Sequence, residues 1–130
     1  MSLAAQPSVL RSLLKFLIVG VLNSTVGLAV IFLAKWLGAM GDIAANLLGY
    51  GVGLTVSFAL NRGWTFRHAG SAVPAALRFT AVIAVAYGLN LATVMLAIHG
   101  LHIDSYLAQA AGIVPYTALT FVSLRYYAFR

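Results

Sequence analysis

The residues of this chain that could take part in binding chemistry lie together at the end of an apolar run. Nineteen uncharged residues separate Asp42 from Arg62, and Asn61, Arg62, Trp64 and Arg67 mark the end of that run. Arginine can hold a phosphate through two parallel hydrogen bonds, and an aromatic ring can stack on the face of a sugar. Basic residues at the inner ends of membrane helices also set orientation. The segment therefore predicts either an anion-binding site or a topology signal.

A similar segment occurs 63 residues later in the sequence. Phe58, Arg62, Phe66 and Arg67 align without a gap with identical residues at positions 121, 125, 129 and 130, and Gly49 aligns with a glycine at position 112. A constant offset of this kind indicates a tandem duplication of a two-helix unit. Within a single membrane domain of residues 1–130, we predict repeat 1 over 14–67, a linker over 68–76 and repeat 2 over 77–130.

The composition excludes an ordinary soluble domain. The chain is 62% hydrophobic and 8% charged, whereas a soluble domain has about 25% charged residues. Its acids are Asp42 and Asp104, and its formal net charge is +6. The bases stand at the ends of apolar runs and not on one soluble face, which argues against nucleic-acid binding. With no cysteine there is no thiolate chemistry, and we expect no enzymatic activity, no cofactor and no metal.

Four apolar runs predict an all-α integral membrane protein with four transmembrane helices. Each run has 19 or 20 uncharged residues, which at about 1.5 Å per residue matches the hydrocarbon core of a bilayer. The first run, Phe16 to Ala34, is longer than the apolar part of a secretory signal. Residues 1–12 are expected to form a short tail before it, either irregular or lying as an interfacial helix.

The distribution of bases predicts the orientation of the four helices. One side of the membrane receives one lysine and the other receives seven bases, which places both termini in the cytoplasm. Each half then begins on the cytoplasmic side, so the two repeats are parallel and not inverted. The bases on the cytoplasmic side are Arg11, Lys15, Arg62, Arg67, Arg78, Arg125 and Arg130, and the external one is Lys35.

Small residues predict how the second helix packs. Ala45, Gly49, Gly53 and Ser57 recur every four residues, and such a strip lets another helix come close. The strip can pack within the subunit or between subunits. Because four helices bury little surface, we predict a homo-oligomer and most simply a homodimer. Pro115, about midway along the fourth helix, predicts a bend that serves either packing or hinge motion.

Polar side chains within the apolar runs are few. Asn23, Asn46, Asn90 and Gln109 are expected to face protein or a wet groove, as bonds between helices or as substrate-lining groups. The histidines at 99 and 102 lie three residues apart, with one acid nearby, and are interpreted as interface residues and not as a metal site.

Two motifs resemble the GtrA-like family of small four-helix membrane proteins in bacteria and archaea. They are Lys15-Phe-Leu-Ile-Val-Gly-Val-Leu-Asn23-Ser24, which opens the first helix, and Phe58-Ala-Leu-Asn61-Arg62-Gly-Trp64-Thr65-Phe66, which closes the second. The resemblance implies a role in polysaccharide and surface glycan synthesis at the bacterial or archaeal cytoplasmic (inner) membrane. Members are proposed to move a polyprenyl-phosphate-linked monosaccharide between leaflets as flippases. The second half departs from the motif, with Leu124 where the first half has Asn61.

Two functions follow from the resemblance as alternatives. One is the translocation of the lipid-linked sugar among membrane lipids. The other is a non-transporting scaffold or anchor that recruits a polyprenyl-phosphate glycosyltransferase. A proton-coupled drug exporter is disfavoured because no carboxylate lies within an apolar run. The residues predicted to bind the phosphate or the sugar are Arg62, Asn61, Trp64, Arg67, Lys15, Arg78, Arg125, Asn23 and Asn90.

Overall fold

The described part of the chain is helical throughout. The computed structural model describes residues 7–38 and 40–130, and all regular elements in these ranges are helices. Together with the turns that extend them, four helices are long and apolar enough to cross a membrane, which makes the chain a multi-pass membrane protein. They are α1 (Val9–Trp36), α2 (Asp42–Leu60), α3 (Ala72–Met95) and α4 (Ser105–Ser123), and wide π turns follow three of them at Asn61–Thr65, Leu96–Gly100 and Leu124–Ala128.

Two helices begin earlier than the apolar runs indicate. α1 begins at Val9, where the Ser8 hydroxyl accepts a hydrogen bond from the Arg11 backbone N–H at 3.3 Å. Part of the predicted tail is therefore the first turns of α1, because a helix can extend into the headgroup region with its bases exposed. α3 begins at Ala72, within the predicted linker. Pro74 lies in its first turn, where a helix does not need the missing N–H.

The chain divides into two compact units, residues 1–69 and residues 70–130. In unit 1, α1 and α2 form an antiparallel hairpin. One end of the hairpin brings Lys15 to Trp64, with Lys15 Nζ 3.5 Å from the Trp64 carbonyl oxygen. The opposite end joins Lys35 to Asp42 in an exposed ion pair of 2.8 Å. The end of unit 1 that carries Lys15, Arg62 and Arg67 is called its basic end.

The small-residue strip of α2 is the contact surface of this hairpin. A Cβ atom on Gly49 would overlap the Ile31 side chain and lie 2.7 Å from the Gly27 carbonyl oxygen. A Cβ atom on Gly53 would lie 3.2 Å from the Asn23 carbonyl oxygen. The helix backbones can therefore approach because these positions lack side chains. The strip is buried inside unit 1, so it is not an open surface on which the predicted homodimer could rest.

Unit 2 is a second hairpin, formed by α3 and α4. A Cβ atom on Gly112 would overlap the Asn90 amide oxygen and lie 2.8 Å from Val94 Cγ2. Away from the bases of this unit, Val94, Ala97 and Ala108 form a buried cluster. α4 continues through Pro115 as one helix to Ser123.

Small side chains are common inside each unit, and large apolar side chains cover the outside, as expected when lipid is the solvent. Many of the buried apolar residues are as small as Ala45, Ala75 and Ala86, while large ones such as Leu17 and Phe32 face outward. Of the two predicted surroundings, protein or a wet groove, the exposed amides of Asn46 and Gln109 do not have the first. Each lies about one turn from the start of its helix, where headgroups and water are within reach.

Candidate functional site

The π turn at the basic end of unit 1 carries the residues singled out from the sequence. The Phe66 N–H donates to the Asn61 carbonyl at 2.9 Å, five residues back, which widens the helix by one residue. Asn61 and Thr65 are buried, Arg62 is half-buried, and Trp64 has 40% of its surface exposed. Wide turns of this kind occur frequently at functional sites. The turn thus places one arginine and one aromatic ring at the surface beside buried polar groups.

Lys15 joins this turn from α1. Its ammonium lies 5.0 Å from the centre of the Trp64 ring, and it donates one long hydrogen bond, 3.5 Å, to the Trp64 carbonyl. A lysine over an indole face at an exposed site gains about 0.5–1 kcal/mol, which leaves the ammonium easy to redirect. The structure therefore brings together Lys15 and Trp64, which are 49 residues apart in the sequence, and adds Asn61 and Arg62 on the same turn.

Three buried polar side chains line up beneath this surface. Asn61 Nδ2 donates to the Ser57 hydroxyl at 3.1 Å, whereas Asn61 Oδ1 and Thr65 Oγ1 are buried with no hydrogen-bond partner among the described residues. From the sequence alone, Ser57 is predicted to serve helix packing, and Thr65 receives no role. Their spacing of four residues, at 57, 61 and 65, is the signal that places them on one helix face.

Arg67 closes the end of this helix in an unusual backbone conformation. Its φ is 49°, which lets the next N–H, that of His68, donate to the Arg62 carbonyl at 2.8 Å. A left-handed residue after the last turn is a common way to end a helix, and glycine usually fills the position. A side chain there adds about 1–2 kcal/mol of local strain.

We expect the variant Arg67→Gly to be more stable than Arg67→Ala by about 1 kcal/mol, because both lose the same charge and glycine alone adopts this φ without strain. The measurement is the thermal unfolding midpoint of the two purified variants in one detergent. Equal midpoints would show that the left-handed residue is not under strain.

Unit 2 has a π turn 63 residues later, at Leu124–Ala128, with a corresponding hydrogen bond from the Phe129 N–H to the Leu124 carbonyl at 2.9 Å. Here the base on the facing helix is Arg78. Its Nε and Nη2 both donate to the Ala128 carbonyl, at 3.3 and 3.1 Å. Arg125 is buried, with its guanidinium 5.5 Å from the Tyr126 ring centre. Arg78 and Arg125 therefore both make contacts within unit 2.

The two predicted amides lie deeper than the bases. Asn23 is eight residues beyond Lys15 on α1, which at 1.5 Å per residue is about 12 Å along the axis. Asn90 is twelve residues beyond Arg78 on α3, or about 18 Å. Asn90 Oδ1 is buried without a hydrogen-bond partner among the described residues. Neither amide belongs to the group around Trp64, so they mark positions at greater depth.

The histidines near the opposite end of unit 2 are exposed. His99 lies in the π turn after α3, and His102 adopts a φ of 53° in the loop before α4. Within residues 7–38 and 40–130, no three His, Cys, Asp or Glu side chains come together in a group that could hold a metal ion.

Comparison with known proteins identifies the family. The model described as "GtrA/DPMS, transmembrane domain" matches residues 15–129, from the lysine beside Trp64 to the phenylalanine that follows the second basic π turn. No curated protein matches this sequence. The matched range contains both motifs, α1 from Lys15 onward, and the whole of α2, α3 and α4. The chain therefore belongs to the GtrA/DPMS transmembrane domain family.

Proposed function

We propose that this protein moves a polyprenyl-phosphate-linked monosaccharide from the cytoplasmic to the outer leaflet of a bacterial or archaeal cytoplasmic membrane, for surface polysaccharide synthesis or modification. Membership of the family fits a glycan-related function. The observation that carries the proposal is the placement of the Lys15 ammonium over the half-exposed Trp64 ring, 5.0 Å from its centre, on the same π turn as Arg62.

The chemistry of this group suits a lipid-linked sugar phosphate. Lys15 and Arg62 can donate charge-assisted hydrogen bonds to a phosphodiester. The exposed indole can stack on a sugar ring, as aromatic side chains do with flat apolar faces. The large apolar side chains on the outer surface of unit 1, such as Leu17 and Val21, would leave the polyprenyl tail in lipid. Together these groups would accommodate the head, the linkage and the tail of one molecule.

The proposal includes the predicted orientation, with both termini in the cytoplasm and the basic ends of both units at the inner surface. It also includes the tandem duplication, which the 63-residue interval between two of the π turns supports. Labelling of single cysteines introduced at residues 68–74 tests the orientation. We expect protection in intact cells and reaction after permeabilisation, and the reverse would contradict it.

On this proposal the head passes from the basic end of unit 1 to greater depth, where Asn23 offers an amide, while a lining role for Asn90 of unit 2 stays a prediction of the sequence. A groove between helices or subunits would let the tail remain in the bilayer during this passage. The homodimer stays a prediction of the sequence, and its interface would have to use a surface other than the α2 strip. Nothing in this route needs a chemical step, so the protein acts as a carrier and not as an enzyme.

A second candidate is a scaffold that recruits a membrane glycosyltransferase. The exposure of Trp64 and Arg67 at one end of unit 1 favours it, because aromatic residues and arginine are enriched at protein interfaces. The two candidates differ in what they require of the lipid. A scaffold need not bind the sugar phosphate, whereas a carrier must.

Binding of the lipid tests the ligand class. The full chain in lipid nanodiscs is titrated with a polyprenyl-phosphate monosaccharide, and with the matching polyprenyl alcohol as the control. We expect saturable binding of the first, detected through Trp64 fluorescence in a Trp36→Phe background, and none of the second. Equal responses to both lipids would contradict a site that recognises phosphate.

A further inference from the structure

Unit 1 buries three polar side chains at its π turn, and the fold of that turn does not require them, as a comparison with unit 2 shows. Ser57, Asn61 and Thr65, here called the polar triad, are all buried. Asn61 Oδ1 and Thr65 Oγ1 find no partner among the described residues. Exchanging the amide oxygen and nitrogen of Asn61 only changes which of its two atoms is unpaired. Buried polar atoms without partners destabilise a fold, so each calls for an explanation.

Unit 2 shows that the π turn does not need this triad. The residues 63 positions later are Thr120, Leu124 and Ala128, and they are buried to a similar degree. The turn they form has the same hydrogen bond of 2.9 Å. Leu124 and Ala128 therefore build the same local structure without the unpaired amide oxygen of Asn61 and the unpaired hydroxyl of Thr65, although the Thr120 hydroxyl is also buried without a partner among the described residues. The polar atoms in unit 1 are an addition to the fold and not a condition for it.

The base on the facing helix also makes fewer hydrogen bonds in unit 1 than in unit 2. Arg78 of unit 2 gives two hydrogen bonds to the Ala128 carbonyl. Lys15 of unit 1 gives one, at 3.5 Å, to the Trp64 carbonyl. An ammonium has three donors, so Lys15 can turn to a ligand with little loss. The facing base of unit 2 is thus held by two hydrogen bonds, while unit 1 combines a weakly held Lys15 with the unpaired Asn61 oxygen and Thr65 hydroxyl.

We propose that unit 1 alone binds the headgroup, and that the polar triad recognises the sugar while Lys15 and Arg62 hold the phosphate. This rests on the proposed function. A sugar hydroxyl both donates and accepts hydrogen bonds, so it can pair with Asn61 in either orientation of the amide, whereas an ionised phosphodiester can only accept. The triad is buried, so the sugar reaches it when the π turn opens. Unit 2 is the structural counterpart of unit 1.

The test exchanges residues between the two units in the full chain. Asn61→Leu and Thr65→Ala give unit 1 the residues of unit 2, while Leu124→Asn and Ala128→Thr do the reverse. For each variant in nanodiscs, the Kd is measured for a polyprenyl-phosphate monosaccharide and for the same polyprenyl phosphate without sugar. One hydrogen-bonded hydroxyl should make the wild type prefer the sugar-bearing lipid by about tenfold.

We expect Asn61→Leu and Thr65→Ala to reduce this preference toward equality through weaker binding of the sugar-bearing lipid, with the affinity for the bare lipid unchanged. The unit 2 variants should keep the wild-type preference. Thermal midpoints of Asn61→Leu and Thr65→Ala no lower than wild type would show that the loss is not misfolding, since both remove unpaired buried atoms.

Two contrary results are distinguishable. If the wild type binds the sugar-bearing lipid and the triad variants keep its preference, the triad does not read the sugar and this inference fails while the proposed function stands. If the wild type binds neither lipid, the proposed function fails as well.

Discussion

Gly49→Ala should be among the most damaging single substitutions in this chain. Its Cβ atom would lie 2.7 Å from the Gly27 carbonyl oxygen and would overlap Ile31. The Gly27 oxygen belongs to a helix backbone, so it cannot move aside without separating α1 from α2. Overpacking of this kind typically costs about 1–3 kcal/mol. We expect a lower thermal midpoint and loss of folded protein in mild detergent. The measurement is the amount of folded protein that remains after heating, determined by size-exclusion chromatography.

Gly51→Ala is the matched control, because a Cβ atom there meets nothing within 4 Å. Alanine favours the helix over glycine by about 1 kcal/mol, so this variant should be at least as stable as wild type. Equal behaviour of the two variants would contradict the close approach of α1 and α2.

The same experiment in unit 2 separates side-chain from backbone obstacles. The Cβ atom of Gly112→Ala would overlap the Asn90 amide, and Asn90→Ala removes that amide. The double variant should therefore recover part of the stability that Gly112→Ala loses. At Gly49, truncation of Ile31 would remove only the side-chain overlap, because the Gly27 carbonyl oxygen stays in place.

Arg62→Lys should have the largest effect on lipid binding that leaves charge and orientation intact. Lysine keeps the positive charge but loses the planar fork that matches a phosphate. A charged hydrogen bond contributes about 1.5–3 kcal/mol, so binding of the lipid-linked sugar should weaken by roughly ten- to a hundredfold. The measurement is the Kd in nanodiscs, with cysteine labelling at residues 68–74 to confirm unchanged orientation.

Arg11→Lys supplies the control for Arg62→Lys. Arg11 lies exposed in the first turn of α1, so the same exchange there should leave the affinity unchanged. If both variants bind as wild type, Arg62 contributes only to orientation.

The sequence predicts the helices well because lipid imposes a simple rule. A run of about 20 apolar residues must be a spanning helix, since no other segment can satisfy its backbone in hydrocarbon. The Ala45 to Ser57 strip likewise predicts a close helix contact. The sequence does not say whether the strip packs on α1 or on another subunit, because that depends on which residues of the facing helix lie opposite it. In the structure Gly27 of α1 lies opposite Gly49, and this pairing follows from the register of the hairpin.

The candidate site is predicted in its composition but not in its geometry. The motif around Asn61 and Arg62 is visible in the sequence, but the π turn that buries Asn61 beside Thr65 is not. A π turn needs one extra residue in a helical turn and has no residue signature of its own. The contact of Lys15 with Trp64 joins the two ends of a hairpin, so it follows from the fold. Lys15 donates one hydrogen bond and Arg78 donates two, and this difference is known only from the positions of their acceptors.

Movement of the lipid across the bilayer tests the account most directly. Vesicles contain the full chain and a polyprenyl-phosphate monosaccharide in both leaflets, and a membrane-impermeant oxidant then reacts with accessible sugars. We predict that nearly all of the sugar reacts in vesicles with wild-type protein. In protein-free vesicles and in vesicles with Arg62→Lys, the sugars of the outer leaflet should react, and those of the inner leaflet should react much more slowly. If wild-type vesicles stop at the outer-leaflet fraction although the protein binds the lipid, the protein is not a carrier and the scaffold function takes its place.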